Sequence, residues 1–246
     1  MNTVAYGKAH GYLRRHGWWH LVGAIAALAV SHYTQAGAKN QDPRVIPPHA
    51  NYRGLSYGEW GAEWWKALFS IPVVDDSHPY LNGGTFGWVK GVLFIMGPIG
   101  EATMDLAIPA GTPLLVAVIN AECSILEPDP YHGENESELR ACANGHIDNT
   151  SGVFAEIDGV AVADLDAYRF ESPLFEFGPL PEDNVLAYLG LDAPAGATSL
   201  SVDAGFYLLL APPCVGTHTI RVGGTYDELG FSIDTTFNIT VVPKER

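Results

Sequence analysis

Apolar residues along this chain follow two periods, and the change falls at Pro72. Between Ser56 and Ile71, the residues Trp60, Trp64, Ala67 and Leu68 recur at helical spacing. Ser56 is a good N-cap, and Glu59 stands three residues later, as a capping box requires. The residue before a proline avoids helical angles, so the helix is expected to end at Ile71-Pro72. Ahead of it, residues 39–54 carry Pro43, Pro47, Pro48 and Gly54 with no apolar period, which predicts an extended lead-in.

Beyond Pro72, short apolar runs alternate with Gly, Pro, Asn and Asp clusters. The runs predict strands at Trp88–Met96, Met104–Ile108, Leu114–Asn120, Val153–Ile157, Tyr168–Phe177, Ser199–Leu210, His218–Val222 and Phe231–Val242. In the last, Phe231, Ile233, Thr235, Phe237, Ile239 and Val241 take one face. Ser232, Asp234, Thr236, Asn238 and Thr240 take the other, the period of two that a strand with one wet face demands. Val92–Met96 and Leu208–Leu210 do not alternate and read as strands covered on both faces. The stretch Cys123–Gly145 breaks the rhythm, and a short helix is expected from Ser137 through Cys142, with Gly145 just past its end. The expected fold is all-β. It is a single β-sandwich or jelly-roll-like domain over residues 55–246, with the N-terminal helix packed on it and the short helix in a disulfide loop.

Residues 1–38 have a different texture. Lys8, Arg14 and Arg15 give a positive start without acidic residues, Leu21–Val30 is a short apolar run, and Ala36-Gly37-Ala38 fits a small-x-small cleavage site. This is the pattern of a signal peptide, cleaved after Ala38. The run is about half the roughly 20 residues of a membrane span, so no span is expected after cleavage. Arg14-Arg15 also fits a twin-arginine signal, but His16-Gly17-Trp18-Trp19 suits that route poorly, so general secretion is expected. The predicted location is secreted or periplasmic.

Charge and cysteines sharpen this picture. The formal net charge is −15, from 13 basic and 28 acidic residues. A surface this negative repels phosphate backbones, so nucleic acid is excluded as a partner. In an oxidising compartment Cys123 is expected to pair with Cys142, and Cys214, after Pro212-Pro213, to be a small buried residue.

Several segments carry a family resemblance. YGEWGAEWWKALFSIP (Tyr57–Pro72), IPAGTPLLVAVINAECS (Ile108–Ser124), ELRACANG (Glu138–Gly145) and the closing GTHTIRVGG and FSIDTTFNITVVP stand in the order seen in a family of uncharacterised secreted bacterial proteins, which this chain resembles. The resemblance implies export and one β-rich domain. It implies no activity and no catalytic residue.

Five groups of residues are candidates for chemistry. Glu59 and Glu63 share a helix face, but the capping box occupies Glu59 and Lys66 is placed to pair with Glu63. Trp60 and Trp64 are spaced for core packing, whereas Trp65 points elsewhere and is expected to be exposed, ready to stack on a sugar. Asp75, Asp76 and His78 before Pro79 form a compact polar group that suits a metal, a polarised water or an ordinary turn. The stretch Glu122–Asp148 holds seven carboxylates against Arg140, among them Glu127, Asp129, Glu134 and Glu136, an oxygen-rich set suited to Ca2+. His132 and His146 add nitrogen donors, and a solvated acidic loop is the competing reading. His218 alternates with Ile220 and Val222, which points it inward as a core histidine.

No catalytic signature such as G-x-S-x-G or H-E-x-x-H occurs. The expected function is therefore a non-catalytic envelope or extracellular protein that binds a glycan, a divalent cation or another surface protein. The alternative is a secreted polysaccharide hydrolase using loop carboxylates.

Overall fold

The structure is a computed structural model that describes residues 44–244. The expected leader and its cleavage site lie outside the described residues. Helix α1 spans Tyr57–Phe69, and both halves of the capping box are present: Glu59 N–H donates to Ser56 Oγ, and Ser56 N–H donates to the Glu59 carboxylate at 2.7 Å. The helix buries Trp60, Trp64, Trp65 and Leu68. Lys66 pairs with Glu63. Trp60, Trp64, Glu59 and Glu63 therefore have the structural roles their spacing predicts, whereas Trp65, expected outside the core, is buried with them.

Among the described residues eleven strands follow: β1 (Gly84–Val89), β2 (Val92–Met96), β3 (Gly100–Pro109), β4 (Leu114–Ser124), β5 (Thr150–Ile157), β6 (Val160–Ala161), β7 (Arg169–Glu171), β8 (Phe175–Phe177), β9 (Ser199–Leu210), β10 (Gly216–Tyr226) and β11 (Phe231–Val242). They form two sheets. One has the order β1-β2-β4-β9-β7, with β8 also paired to β9; the other has the order β3-β11-β10-β5-β6. The chain is thus mostly strand, as expected for an all-β protein. Trp88–Met96 is not one strand but a hairpin. Lys90 and Gly91 both take positive φ there, as a tight two-residue turn requires.

The strongest sequence pattern is reproduced in burial. Thr235, Phe237, Ile239 and Val241 of β11 are buried, while Ser232, Asn238 and Thr240 face water. Strands β4 and β9 are apolar almost throughout because both faces are covered. Asp203 of β9 bonds Trp65 of α1, whereas Cys123 of β4, whose register partner is Val202, is tied to Cys142 of helix α3 (Glu136–Asp148). Side chains alternate along a strand, so the two helices lie on opposite faces of this sheet. Two short helices, α2 (Pro79–Asn82) and α4 (Val185–Tyr188), complete the described elements together with a 3-10 turn at Leu165–Tyr168. Among the described residues, no helix is long and apolar enough to cross a membrane.

Three further expectations about elements change. Helix α3 runs through Gly145 to Asp148, because Asn135 caps its start and no obstacle meets the chain at Gly145. The expected strand Tyr168–Phe177 is broken at Ser172-Pro173, since Pro173 brings no donor to the ladder. The lead-in is not merely extended: Ile46 N–H donates to the Leu209 carbonyl at 2.8 Å, which adds this segment beside β9.

Candidate functional site

A cavity of about 320 Å³ opens between α1, the inner end of β4, the loop 127–131 and strands β10 and β11. Its walls are mostly apolar and include a cluster of aromatic rings. Trp64 and Trp65 meet edge to face with centroids 5.0 Å apart, and Phe69 stacks beside Trp65 at 5.3 Å. Tyr80, Tyr131 and Phe231 continue the lining. At the rim, Ile99 is 57% exposed and Leu189 is 46% exposed, so the mouth itself is apolar.

The polar end is made by β4. The strand continues to Ser124 because it stays paired with β9 as far as Ser124 and Ser201. This carries Glu122 into the sheet rather than into the acidic loop. Glu122 is 3% exposed and Glu127 9% exposed. Their carboxyl groups lie within hydrogen-bonding reach of each other. Burial pushes both carboxyls up from the ordinary range, and for Glu122 the neighbouring Glu127 charge adds to that shift. Ser201 Oγ donates to Glu122, and Ser124 Oγ donates to Glu127 at 2.8 Å.

Behind the cavity wall lies a second buried network. Asp203 Oδ1 accepts from Trp65 Nε1 at 2.8 Å and from Tyr207 Oη at 2.8 Å. Asn120 Nδ2 donates to Tyr207 Oη at 2.6 Å. The Asn120 backbone N–H donates to Tyr226 Oη at 3.1 Å, and that hydroxyl donates to the Asn120 carbonyl. Asp203 is fully desolvated, which lifts its carboxyl to about 7 despite the two donors. The carboxylate fits only because residue 61 is glycine: a Cβ there would sit 2.3 Å from Asp203 Oδ2.

The structure separates most of the residues that the sequence groups together. Trp65 is buried, not exposed, because its indole N–H is bound to Asp203. Asp75 and Asp76, both with positive φ, are the exposed tip of a tight turn closed by Val74 and Ser77. His78 turns inward instead: it is 2% exposed, and its Nδ1 accepts from Tyr80 N–H at 3.1 Å to cap α2. Burial lowers its pKa and keeps it neutral. Of the oxygen-rich set, Glu127 enters the cavity wall, while Asp129, Glu134 and Glu136 are exposed, the last paired with Arg140.

Cys123 and Cys142 form the expected disulfide, with Cα atoms 6.1 Å apart. Among the described residues, the side chains with metal-ligating atoms close enough to share an ion are Cys123, Cys142 and His146, and the two sulfurs are engaged with each other. Cys214 is exposed rather than buried. His218 is held at the strand's end by Asp158 Oδ2 at 2.9 Å and the Cys214 carbonyl at 3.0 Å.

Sequence reasoning missed Asn120, Asp203 and Tyr207, and it assigned Glu122 to a loop. A signal for them exists. Asn120 and Glu122 alternate inside the apolar run LLVAVINAECS, and Asp203 is a lone acid inside SVDAGFYLLL. Such residues in covered strands need partners, and those partners mark a site. Comparison with protein-family models, curated proteins and solved structures finds no match to this chain.

Proposed function

We propose that this chain is an exported, non-catalytic β-sandwich protein that binds a compact, mostly apolar small molecule in the cavity beneath α1. The observation that carries this reading is an aromatic cavity with an apolar mouth and one polar end, the Glu122–Glu127 pair. Ligand pockets have this composition: apolar walls supply affinity, and a few convergent polar groups fix orientation. About 320 Å³ is roughly twice the 150 Å³ that holds a benzene ring, so a one- or two-ring molecule suits the volume.

Export is part of the proposal. The leader pattern supports it, and the Cys123–Cys142 disulfide is compatible with an oxidising compartment. A small ligand is favoured over a glycan chain because Trp65 offers no outward stacking face. It is favoured over hydrolysis of a polysaccharide because glycosidase carboxyls stand about 5 Å or more apart, with substrate or water between them. Glu122 and Glu127 touch. Binding of Ca2+ or of a surface protein through the exposed carboxylates Asp129, Glu134 and Glu136 is the competing reading.

The experiment is a thermal-shift and tryptophan-fluorescence titration with propylbenzene and related one-ring compounds. The expected result is a saturable rise in Tm with a change in Trp emission, because Trp64 and Trp65 line the cavity. Ile233→Trp, which fills the cavity, abolishes both. Absence of saturable binding across the panel, or binding unaffected by Ile233→Trp, overturns the reading.

A further inference from the structure

Resting on that reading of the cavity, we infer that its ligand is an organic cation: a compact aromatic or alicyclic amine whose ammonium group docks on Glu122 and Glu127.

The argument starts from charge. Two carboxyl groups lie at the polar end of an otherwise apolar cavity, and both are withdrawn from water. Burying a carboxylate without a cation is expensive, and natural sites answer it with Arg, Lys, His or a metal. Among the described residues that line this cavity, none is Lys, Arg or His. The other titratable groups facing the pair are acids or phenols: Asp203 on β9, Asp129 and Tyr131 in the loop 127–131, Tyr80 on α2 and Tyr226 on β10. His132 and His146 bond to the carbonyls of Glu127 and Pro130 instead. The surroundings of the pair are therefore acids and neutral phenols with no cationic side chain among them, so a positive group on the ligand is the complement these carboxyls lack.

The chemistry of the walls narrows the choice of cation. A bare divalent ion takes six or more oxygen ligands, and most of this cavity's lining is ring and aliphatic carbon. An ammonium on a hydrocarbon body suits both halves. Its N–H groups donate to the carboxylates, and its carbon frame lies on rings whose faces attract cations. An anionic ligand of the same shape is repelled by the pair. The exposed apolar side chains of Ile99 and Leu189 give the ring a first surface at the cavity edge.

Titration of the pair makes the binding pH-dependent. An ammonium favours the ionised carboxyls, whereas burial in the empty cavity favours their protonated forms. Affinity therefore rises as pH climbs above the ordinary carboxylate range, up to the point where the amine itself loses its proton.

The test is calorimetric titration of the full chain with three probes of one shape: phenethylammonium, propylbenzene and 3-phenylpropionate. CaCl2 is the fourth arm. The expected order is phenethylammonium tightest by at least about tenfold, propylbenzene weaker, and 3-phenylpropionate weakest. Glu122→Gln and Glu127→Gln keep the side-chain shape; each weakens phenethylammonium at least about tenfold and leaves propylbenzene within about twofold. Raising the pH from 5 to 7 tightens phenethylammonium alone.

Equal affinity for phenethylammonium and propylbenzene overturns the cation inference and leaves the apolar-cavity reading intact. So does an amine affinity untouched by both Gln variants. Calcium binding that is lost in the Gln variants, without amine binding, replaces the amine with a metal. Failure of propylbenzene and phenethylammonium alike overturns the cavity reading and this inference with it.

Discussion

Glu122 of β4 and Asp203 of β9 are register partners in adjacent antiparallel strands, so two almost fully buried carboxyl groups share one face of the sheet. Like charges placed opposite each other are unfavourable, and desolvation compounds the effect. The arrangement is maintained by protonation and by donors. Glu122 is bonded to Glu127 and Ser201, and Asp203 to Trp65 and Tyr207.

This pairing predicts a definite sign for the pH dependence of stability. Asp203 titrates at about 7 in the folded chain against 3.8 ordinarily, so between those values the folded state holds a proton that the unfolded state has released. Stability therefore falls as pH rises through that window, by an upper limit on the order of 4 kcal/mol for this group alone. Glu122 and Glu127, also raised, act in the same direction. Glu59 and Glu138 are lowered by their helix caps and act oppositely at more acid pH, but Glu138 is exposed, Glu59 is only half-buried, and both are screened by solvent. Asp203→Asn keeps an oxygen for Trp65 and Tyr207 and removes the titration. Its Tm between pH 5 and 8 should decline less than that of the parent chain; parallel curves would sink the assignment.

The close approach at Gly61 gives a second expectation. Gly61→Ala places a methyl group against the Asp203 carboxylate and should destabilise the fold by roughly 1–3 kcal/mol, although alanine is the better helix former. Gly145 offers the contrast. It lies inside α3 with nothing within 4 Å of an added Cβ, and Gly145→Ala should stabilise by about 0.5–1 kcal/mol. Chemical denaturation of the two variants beside the parent checks both signs.

The elements that were legible in the sequence are those whose signal is local. Helix α1 carries its own cap, period and stop within sixteen residues, Tyr57–Pro72 preceded by Ser56, and strand β11 carries an unbroken alternation. The disulfide was legible from cysteine arithmetic. Helix α3 was misjudged at its end because a glycine only permits a stop, and here the tertiary contacts carry the helix past Gly145. The Trp88–Met96 hairpin was missed because Lys90-Gly91 interrupts the apolar run only briefly.

The candidate site was less legible, for a physical reason. Its parts meet only through pairing at long range: Glu122 and Asp203 are 81 positions apart, yet opposite in the ladder. Trp65 reads as exposed because its helical face lies away from that of Trp60 and Trp64, but a partner 138 positions later covers it. Neither residue's own neighbourhood contains that information.

The capping box supplies a test confined to one end of α1. Ser56→Ala removes the acceptor for Glu59 N–H and the hydroxyl that donates to the Glu59 carboxylate, and leaves the residue 56 N–H bond to that carboxylate in place. Loss of a cap of this kind costs about 1 kcal/mol, and Ser56→Asp, which retains the acceptor, should recover most of it. Equal Tm values for the alanine variant and the parent would show that packing of Trp60 and Trp64 alone fixes the helix start.

The disulfide carries the last expectation, because it ties α3 to β4 next to the cavity. Cys123 lies directly after Glu122, and the Pro130 carbonyl in the cavity loop accepts from the His146 ring nitrogen at 2.9 Å. Replacing both cysteines by alanine frees a loop of 19 residues, which should destabilise the fold by roughly 3 kcal/mol, chiefly by loosening the unfolded chain. For a domain of this size that corresponds to a fall in Tm of about 6–12 °C. The same change loosens the hold of α3 on the loop that carries Pro130 and Tyr131, so amide exchange should quicken at 128–148 before it does in β10 and β11. Uniform quickening across both sheets would mean that the disulfide stabilises the whole fold cooperatively and leaves the cavity wall no independent freedom.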